Sequence, residues 1–303
     1  MAATLIAVVA AVVLGHVAPA FAASVRDYGW FGNWLRWLDG RFPEGGAWRG
    51  RYGIALALLP PLLLVALFQL ALDAPLLGLA GLLFGIAVLF YSWGPRDLDL
   101  DVEAVMTAPD VAARRAAAAK LWPDPAQAAL DPPAMVAAVF RGAQRRWFGV
   151  LFWFLLLGAA GALLYRLAAL AADGEESRLL PPETVAGARR LHALLDWPVA
   201  QLMTLAMALV GNFDTVIGAW KDNGGATVRL DADFLAAAGR ASVRAEVAEE
   251  AEEYVEEGVA GSTALMQQLG ELPELRDAMS LAWRILLLWL VVLALFVLAG
   301  WVA

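Results

Sequence analysis

Long apolar runs separated by short polar stretches organise this chain. The segment Trp147 to Ala172, WFGVLFWFLLLGAAGALLYRLAALAA, carries a single charge, Arg166. About twenty apolar residues at the helical rise span the hydrocarbon core of a bilayer. Backbone groups in lipid find no water to bond, so such a run reads as a transmembrane helix. Trp147, Phe148, Phe152, Trp153 and Phe154 crowd its first half, and aromatic rings favour the interface. Arg166, near the other end, can snorkel to the headgroups. Tyr52 to Leu72 and Pro75 to Trp93 repeat the pattern with Asp73 between them, which predicts a membrane hairpin with a tight turn. Pro60-Pro61 should kink the first arm or leave carbonyls free. Ile285 to Ala303 is a last span, anchored by Trp283 and Arg284.

Two runs stay ambiguous. Ala20-Phe21-Ala22 resembles a signal-peptidase site, but no Lys or Arg precedes the apolar stretch before it. A retained first helix containing His16 and Pro19 is the favoured reading. Trp197 to Val210 is short for a span and reads as re-entrant, interfacial or packed on other helices. The pattern thus divides the chain into an apolar helix (1–22), an interfacial amphipathic segment (23–51) and a transmembrane hairpin (52–93). A cytoplasmic helical loop (94–146) and a transmembrane helix (147–172) follow. An acidic helical region (173–280) contains the short membrane-associated helix 197–210, and a C-terminal transmembrane helix (281–303) closes the chain. The expected fold is all-α: a polytopic membrane helix bundle of about four to six embedded helices with a helical extramembrane region.

Composition agrees with that division. The chain is 61% hydrophobic and 17% charged, against about 25% charged in soluble domains. It has no cysteine, hence no disulfide or cysteine metal site. Residues 23–52 carry five basic and three acidic residues, 94–146 seven of each, and 173–280 eight basic and nineteen acidic. Orientation follows Lys and Arg near span ends. Arg96, Arg141, Arg145 and Arg146 therefore place 94–146 in the cytoplasm, together with 23–52. The region after Ala172 would then begin on the outer face.

Candidate chemistry in the polar parts is sparse. Trp30, Trp34 and Trp37 mixed with Arg26, Arg36 and Arg41 fit a helix lying in the membrane interface or one packed on the bundle. Thr107 as cap, with Pro109 early and Asp110 as an acid of the first turn, starts one helix, and Asp131-Pro132-Pro133 starts the next. Arg141 and Arg145 share a helix face and, with Arg146, offer a lipid- or phosphate-binding cluster; plain cytoplasmic anchoring is the alternative. His192 lies in a helix opening at Pro181 or Pro182, with no nucleophile spaced to pair with it. Glu249, Glu252, Glu253 and Glu256 line one side of a helix that reads as solvated rather than metal-bridged, and Asp231 and Asp233 give a similarly weak metal signal. Leu265, Leu269, Leu272 and Leu275 form a packing stripe. No Walker loop, dinucleotide fingerprint, zinc-protease motif or serine elbow occurs. The acidic balance argues against nucleic acid, and the scarcity of intramembrane charge argues against a transporter. No catalytic residue, metal or cofactor is expected, and the first partner is membrane lipid.

From Phe148 onward, GVLFWFLLLGAAGALLYRL and then ARRLHALLDWPVAQLMTLAMALVGNFDTVIGAW resemble the AmpE family of bacterial inner-membrane proteins. The resemblance is strongest over Arg141–Trp220 and looser across the whole chain. It rests on Gly158-Ala159-Ala160-Gly161, Tyr165-Arg166, Asp196-Trp197 and Gly211-Asn212-Phe213-Asp214 followed by Trp220. It implies a signalling modulator of AmpC β-lactamase induction, tied to cell-wall recycling, with a cell-wall recycling or envelope protein as partner. It implies a ligand site lined by Arg166, His192, Asp196, Gln201, Asn212, Asp214 and Trp220. The residue-level alternative is an Arg166–Asp196 ion pair at the membrane edge and a helix C-cap at Gly211–Asp214. The family is distantly similar to the CobD/CbiB cobalamin synthases, which share Leu164-Tyr165-Arg166 and Asp196. Those enzymes carry Pro-Ala-Arg-Leu where this chain has Val199-Ala200-Gln201-Leu202, and Ser-Pro-Asn-Ala-Gly where Lys221-Asp222-Asn223-Gly224-Gly225 stands. The lost Arg removes charge that an anionic substrate would need.

Overall fold

A computed structural model of the chain describes residues 2–17, 19–42, 46–72, 78–94, 96–227, 229–258 and 262–299. The expected turn at Asp73 and the last four positions of the expected C-terminal span lie outside these. Among the described residues the fold is all-α, with no strand. In chain order the helices are α1 (Ala2–Val17), α2 (Pro19–Val25), α3 (Gly29–Arg41), α4 (Gly53–Leu72) and α5 (Gly78–Ser92). Next come α6 (Leu98–Met106), α7 (Val111–Ala118), α8 (Pro132–Ala143), α9 (Gly149–Leu157) and α10 (Ala159–Asp173). The last are α11 (Pro182–Val210), α12 (Phe213–Asp222), α13 (Asp233–Glu256), α14 (Ser262–Leu269) and α15 (Pro273–Leu298). Three of these, α4, α11 and α15, are long and apolar enough to cross a membrane, which marks a membrane protein by length and composition. Helix α4 runs through Pro60-Pro61 and leaves Leu59, Leu63, Leu64, Leu67 and Leu70 exposed, a surface suited to lipid. The chain forms two compact units, residues 1–97 with 145–196 and 293–303, and residues 98–144 with 197–292.

In the first unit the segment 147–172 departs from the single span expected of it. It breaks at Gly158, whose φ of +67° and ψ of −149° suit glycine alone. Helices α9 and α10 then run back along each other. A Cβ at Gly149 would strike the Tyr165 ring, and one at Gly161 would strike the Trp153 carbonyl. These pairs close symmetrically about Leu157, the signature of an antiparallel helical hairpin. Small residues permit this approach, as at membrane helix contacts generally. Arg145 and Asp173, 2.7 Å apart, close the open end of the hairpin. The break exposes backbone groups in apolar surroundings, where each unsatisfied group costs several kcal/mol. Gln69 of α4 answers two of them: its amide nitrogen donates to the Leu157 carbonyl at 3.3 Å, and its oxygen accepts from the Ala160 N–H at 3.2 Å.

The start of the chain packs in the same unit. Phe31, Leu35 and Leu38 form the buried face of α3, while Trp30 and Trp37 stay exposed. Trp34 donates its indole N–H to the Ala57 carbonyl of α4 at 2.9 Å. Thus α3 both packs on its neighbours and presents an aromatic face outward.

In the second unit α13 carries the packing. Phe140 of α8 lies where a Cβ on Gly239 would be. Glu246 pairs with Arg284 at 2.5 Å, and Glu250 pairs with Arg276. Arg284 also donates to the Val210 carbonyl at the end of α11, as cations at helix C-termini do. Glu249, Glu252, Glu253 and Glu256 are exposed. Asp110 and Asp131 accept from the N–H groups three residues on and cap α7 and α8; the cap of α7 is thus Asp110 and not Thr107, whose hydroxyl bonds back to the Glu103 carbonyl. Two expected boundaries shift. Residues 197–210 are not a separate short helix but the second half of α11, which continues through Pro198. Helix α15 begins at Pro273, well before Ile285, and Gly270 (φ +84°) interrupts the expected leucine stripe ahead of it.

Candidate functional site

The hairpin and α11 build a buried polar cluster in the first unit. The missing Cβ of Gly149 on the opposite arm makes room for the ring of Tyr165 on α10. Its hydroxyl donates to Asp196 Oδ1 at 2.5 Å. One turn earlier on α11, His192 places Nδ1 3.4 Å from Asp196 Oδ2. The His192 and Tyr165 rings lie 5.4 Å apart. His192 is 3% exposed and Asp196 9%. With Nδ1 turned to the carboxylate, Nε2 is the open nitrogen of the imidazole, buried and without a hydrogen-bonding partner. Buried polar atoms are almost always satisfied, so an orphaned one calls for an explanation such as a ligand or a water.

Arg166, next to Tyr165, faces a different task. Its Nε donates to the Ser92 carbonyl at 2.7 Å and its Nη2 to the Arg145 carbonyl at 3.2 Å. Arg26 adds bonds to the Phe90 and Gly94 carbonyls at 3.0 and 2.9 Å. Tyr28 donates to the Tyr91 carbonyl at 2.6 Å. Three side chains thus bond the carbonyls at the C-terminal end of α5, where the helix dipole is negative and four C=O groups lack helical partners. The expected edge pair of Arg166 with Asp196 does not form. Asp196 takes Tyr165 and His192, and Arg166 caps a helix.

The remaining expected ligand residues, Gln201, Asn212, Asp214 and Trp220, belong to the second unit. Gln201 is used at both ends: its oxygen accepts from the Trp220 indole N–H at 2.9 Å, and its nitrogen donates to the Gly225 carbonyl at 2.9 Å. Gly225 lies so close to the Trp220 ring that any Cβ would collide with it. This knot fixes the turn after α12. The Gly211 N–H bonds the Met207 carbonyl at 2.9 Å and closes α11, while Asn212 accepts from the Thr215 N–H at 3.1 Å and caps the start of α12, so this segment ends one helix and begins the next. Asp214 is exposed in the first turn of α12.

The basic cluster is also divided. Arg141 pairs with Asp233 at 2.8 Å in the second unit, and Arg145 with Asp173 in the first. A π-helical turn over Gln144–Phe148 takes in Arg145 and Arg146 and departs there from the α-helical spacing on which the shared face was expected. Arg146 offers its carbonyl to the Gly94 N–H at 3.0 Å.

No family model, curated protein or solved structure matches the chain. Two contributors escaped the sequence reading of the site. Tyr165 was visible only as a neighbour of Arg166, and Gln69 only as the lone polar side chain within an otherwise apolar α4. Intramembrane polar residues of that kind are rare and point to a structural or functional task.

Proposed function

We propose that the chain is a multi-pass bacterial inner-membrane protein of AmpE type, a modulator in β-lactamase induction and cell-wall recycling that acts by binding a ligand or partner. The carrying observation is that residues marking the resemblance meet in space. Tyr165 of the Leu-Tyr-Arg pattern bonds Asp196, thirty-one positions on, and Asp196 faces His192. Adjacent residues on two helices need not meet unless a fold brings them together, so the contact supports a shared architecture. The orphaned His192 Nε2 supports a polar ligand group at this point: as an acceptor it would take a hydrogen bond from a hydroxyl or amide. The synthase alternative gains no support from Gln201, which stands where those enzymes carry Arg and spends both amide atoms on Trp220 and Gly225.

Deleting the gene and challenging cells with a β-lactam tests the reading. Altered β-lactamase induction is expected. The wild-type chain should restore it and Asp196→Ala should not, at equal membrane abundance. Unchanged induction in the deletion strain overturns the proposal.

A further inference from the structure

We infer that the apolar hairpin 147–172 does not cross the bilayer: it enters the hydrocarbon and returns, so that both its ends lie at one membrane face. Four observations within the first unit carry this. First, the helix leading to the break is apolar only from Trp147 to Leu157, eleven residues, and α10 has fifteen, or about 16 and 22 Å at the helical rise. Both fall short of the hydrocarbon thickness of about 30 Å.

Second, charge gathers at one end only. Arg145, Arg146 and Asp173 stand at the open end, and Arg189 of α11 joins there, bonding the Ala172 carbonyl at 3.2 Å. The closed end is Leu156-Leu157-Gly158-Ala159. Leu156 and Leu157 are 58% and 48% exposed, too apolar for a loop in water yet suited to acyl chains. Third, the turn is satisfied from within the protein. Gln69 bonds Leu157 and Ala160, and the Gly158 and Gly161 N–H groups reach the Phe154 and Gly158 carbonyls at 2.8 and 3.0 Å. Non-helical backbone at membrane depth is tolerated only when protein supplies its hydrogen bonds. A loop in water would have no need of Gln69.

Fourth, the open end is pinned at the level where α5 ends. Arg166 bonds both Ser92 and Arg145, and Gly94 donates to Arg146. The chain leaving α5 and the two ends of the hairpin therefore share one level. The occupant of the exposed leucine tip is lipid hydrocarbon. The consequence reverses one expectation. With an even number of passages, residues 173–181 lie on the same side as 94–146, which the Arg distribution places in the cytoplasm.

The chain has no cysteine, so single-cysteine variants of the full chain report one position each. Gln127→Cys, Arg178→Cys and Leu157→Cys are treated with a membrane-impermeant maleimide in right-side-out and inverted vesicles. Glu175→Cys serves as a second reporter should Arg178→Cys not accumulate. Gln127→Cys and Arg178→Cys should both be labelled in inverted vesicles and neither in right-side-out ones. Leu157→Cys should react only after solubilisation in sodium dodecyl sulfate. Labelling of the 127 and 178 positions from opposite faces overturns the inference. So does labelling of Leu157→Cys in intact vesicles of either orientation.

Discussion

Gly158 and Gln69 decide what happens to the most apolar stretch of this chain. A β-carbon at Gly158 would be strained by the backbone angles and would also press on the Gln69 amide. Gly158→Ala should therefore lose about 1–3 kcal/mol, read as a lower melting temperature in detergent. Gln69→Leu keeps the bulk but abandons the Leu157 carbonyl and the Ala160 N–H, at a cost of about 1–3 kcal/mol when both stay buried. A variant of either kind as stable as the wild type would refute the role given to the break. Tyr165 and Asp196 were legible as marked positions, because a tyrosine, an arginine and an aspartate stand out against apolar neighbours. Their partnership was not. Residues thirty-one apart meet only through a reversal of direction, and no local spacing encodes it.

Among the elements, the hairpin is held at its base by Arg145 with Asp173, and Arg189 stands 3.7 Å from the same carboxylate. Both members of the main pair are about one-third exposed, so solvent screens it only in part. A double-mutant cycle on Arg145→Gln and Asp173→Asn should return a coupling of about 0.5–1.5 kcal/mol, within the range for contacting residues. Additive losses would show that the base is closed by packing alone. Helix existence followed from the apolar runs, and the cap at Asp131 followed from its residue type, whereas Asp110 took the capping place expected of Thr107. Helix ends did not follow so well. The apolar run from Trp197 suggested a separate short helix, yet α11 continues into it through Pro198. Pro costs one hydrogen bond and a local bend, which the packing of a long helix absorbs. Apolarity likewise could not distinguish one helix of twenty-six residues from two helices folded together, since both bury the same side chains.

For the molecule as a whole, the solvent is the first question. Helices α4, α11 and α15 present apolar surfaces that water would not tolerate. The chain should sediment with membranes after washing with high salt or alkali, and should remain monodisperse only in detergent or lipid. Monodisperse protein in plain buffer contradicts the membrane assignment. The exposed carboxylates of α13, Glu249, Glu252, Glu253 and Glu256, keep that part of the chain in water.

Hydrophobicity is a sum over residues, and so the apolar runs alone were enough to set the all-α class and to mark helices long and apolar enough to cross a membrane. Direction is not such a sum. Whether 147–172 crosses or turns back, whether Arg166 meets a carboxylate or a helix end, and which side chains surround Asp196 depend on which surfaces touch. Those outcomes rest on the missing Cβ atoms of Gly149, Gly158 and Gly161 and on hydrogen bonds from distant helices, and they exist only once the chain is folded.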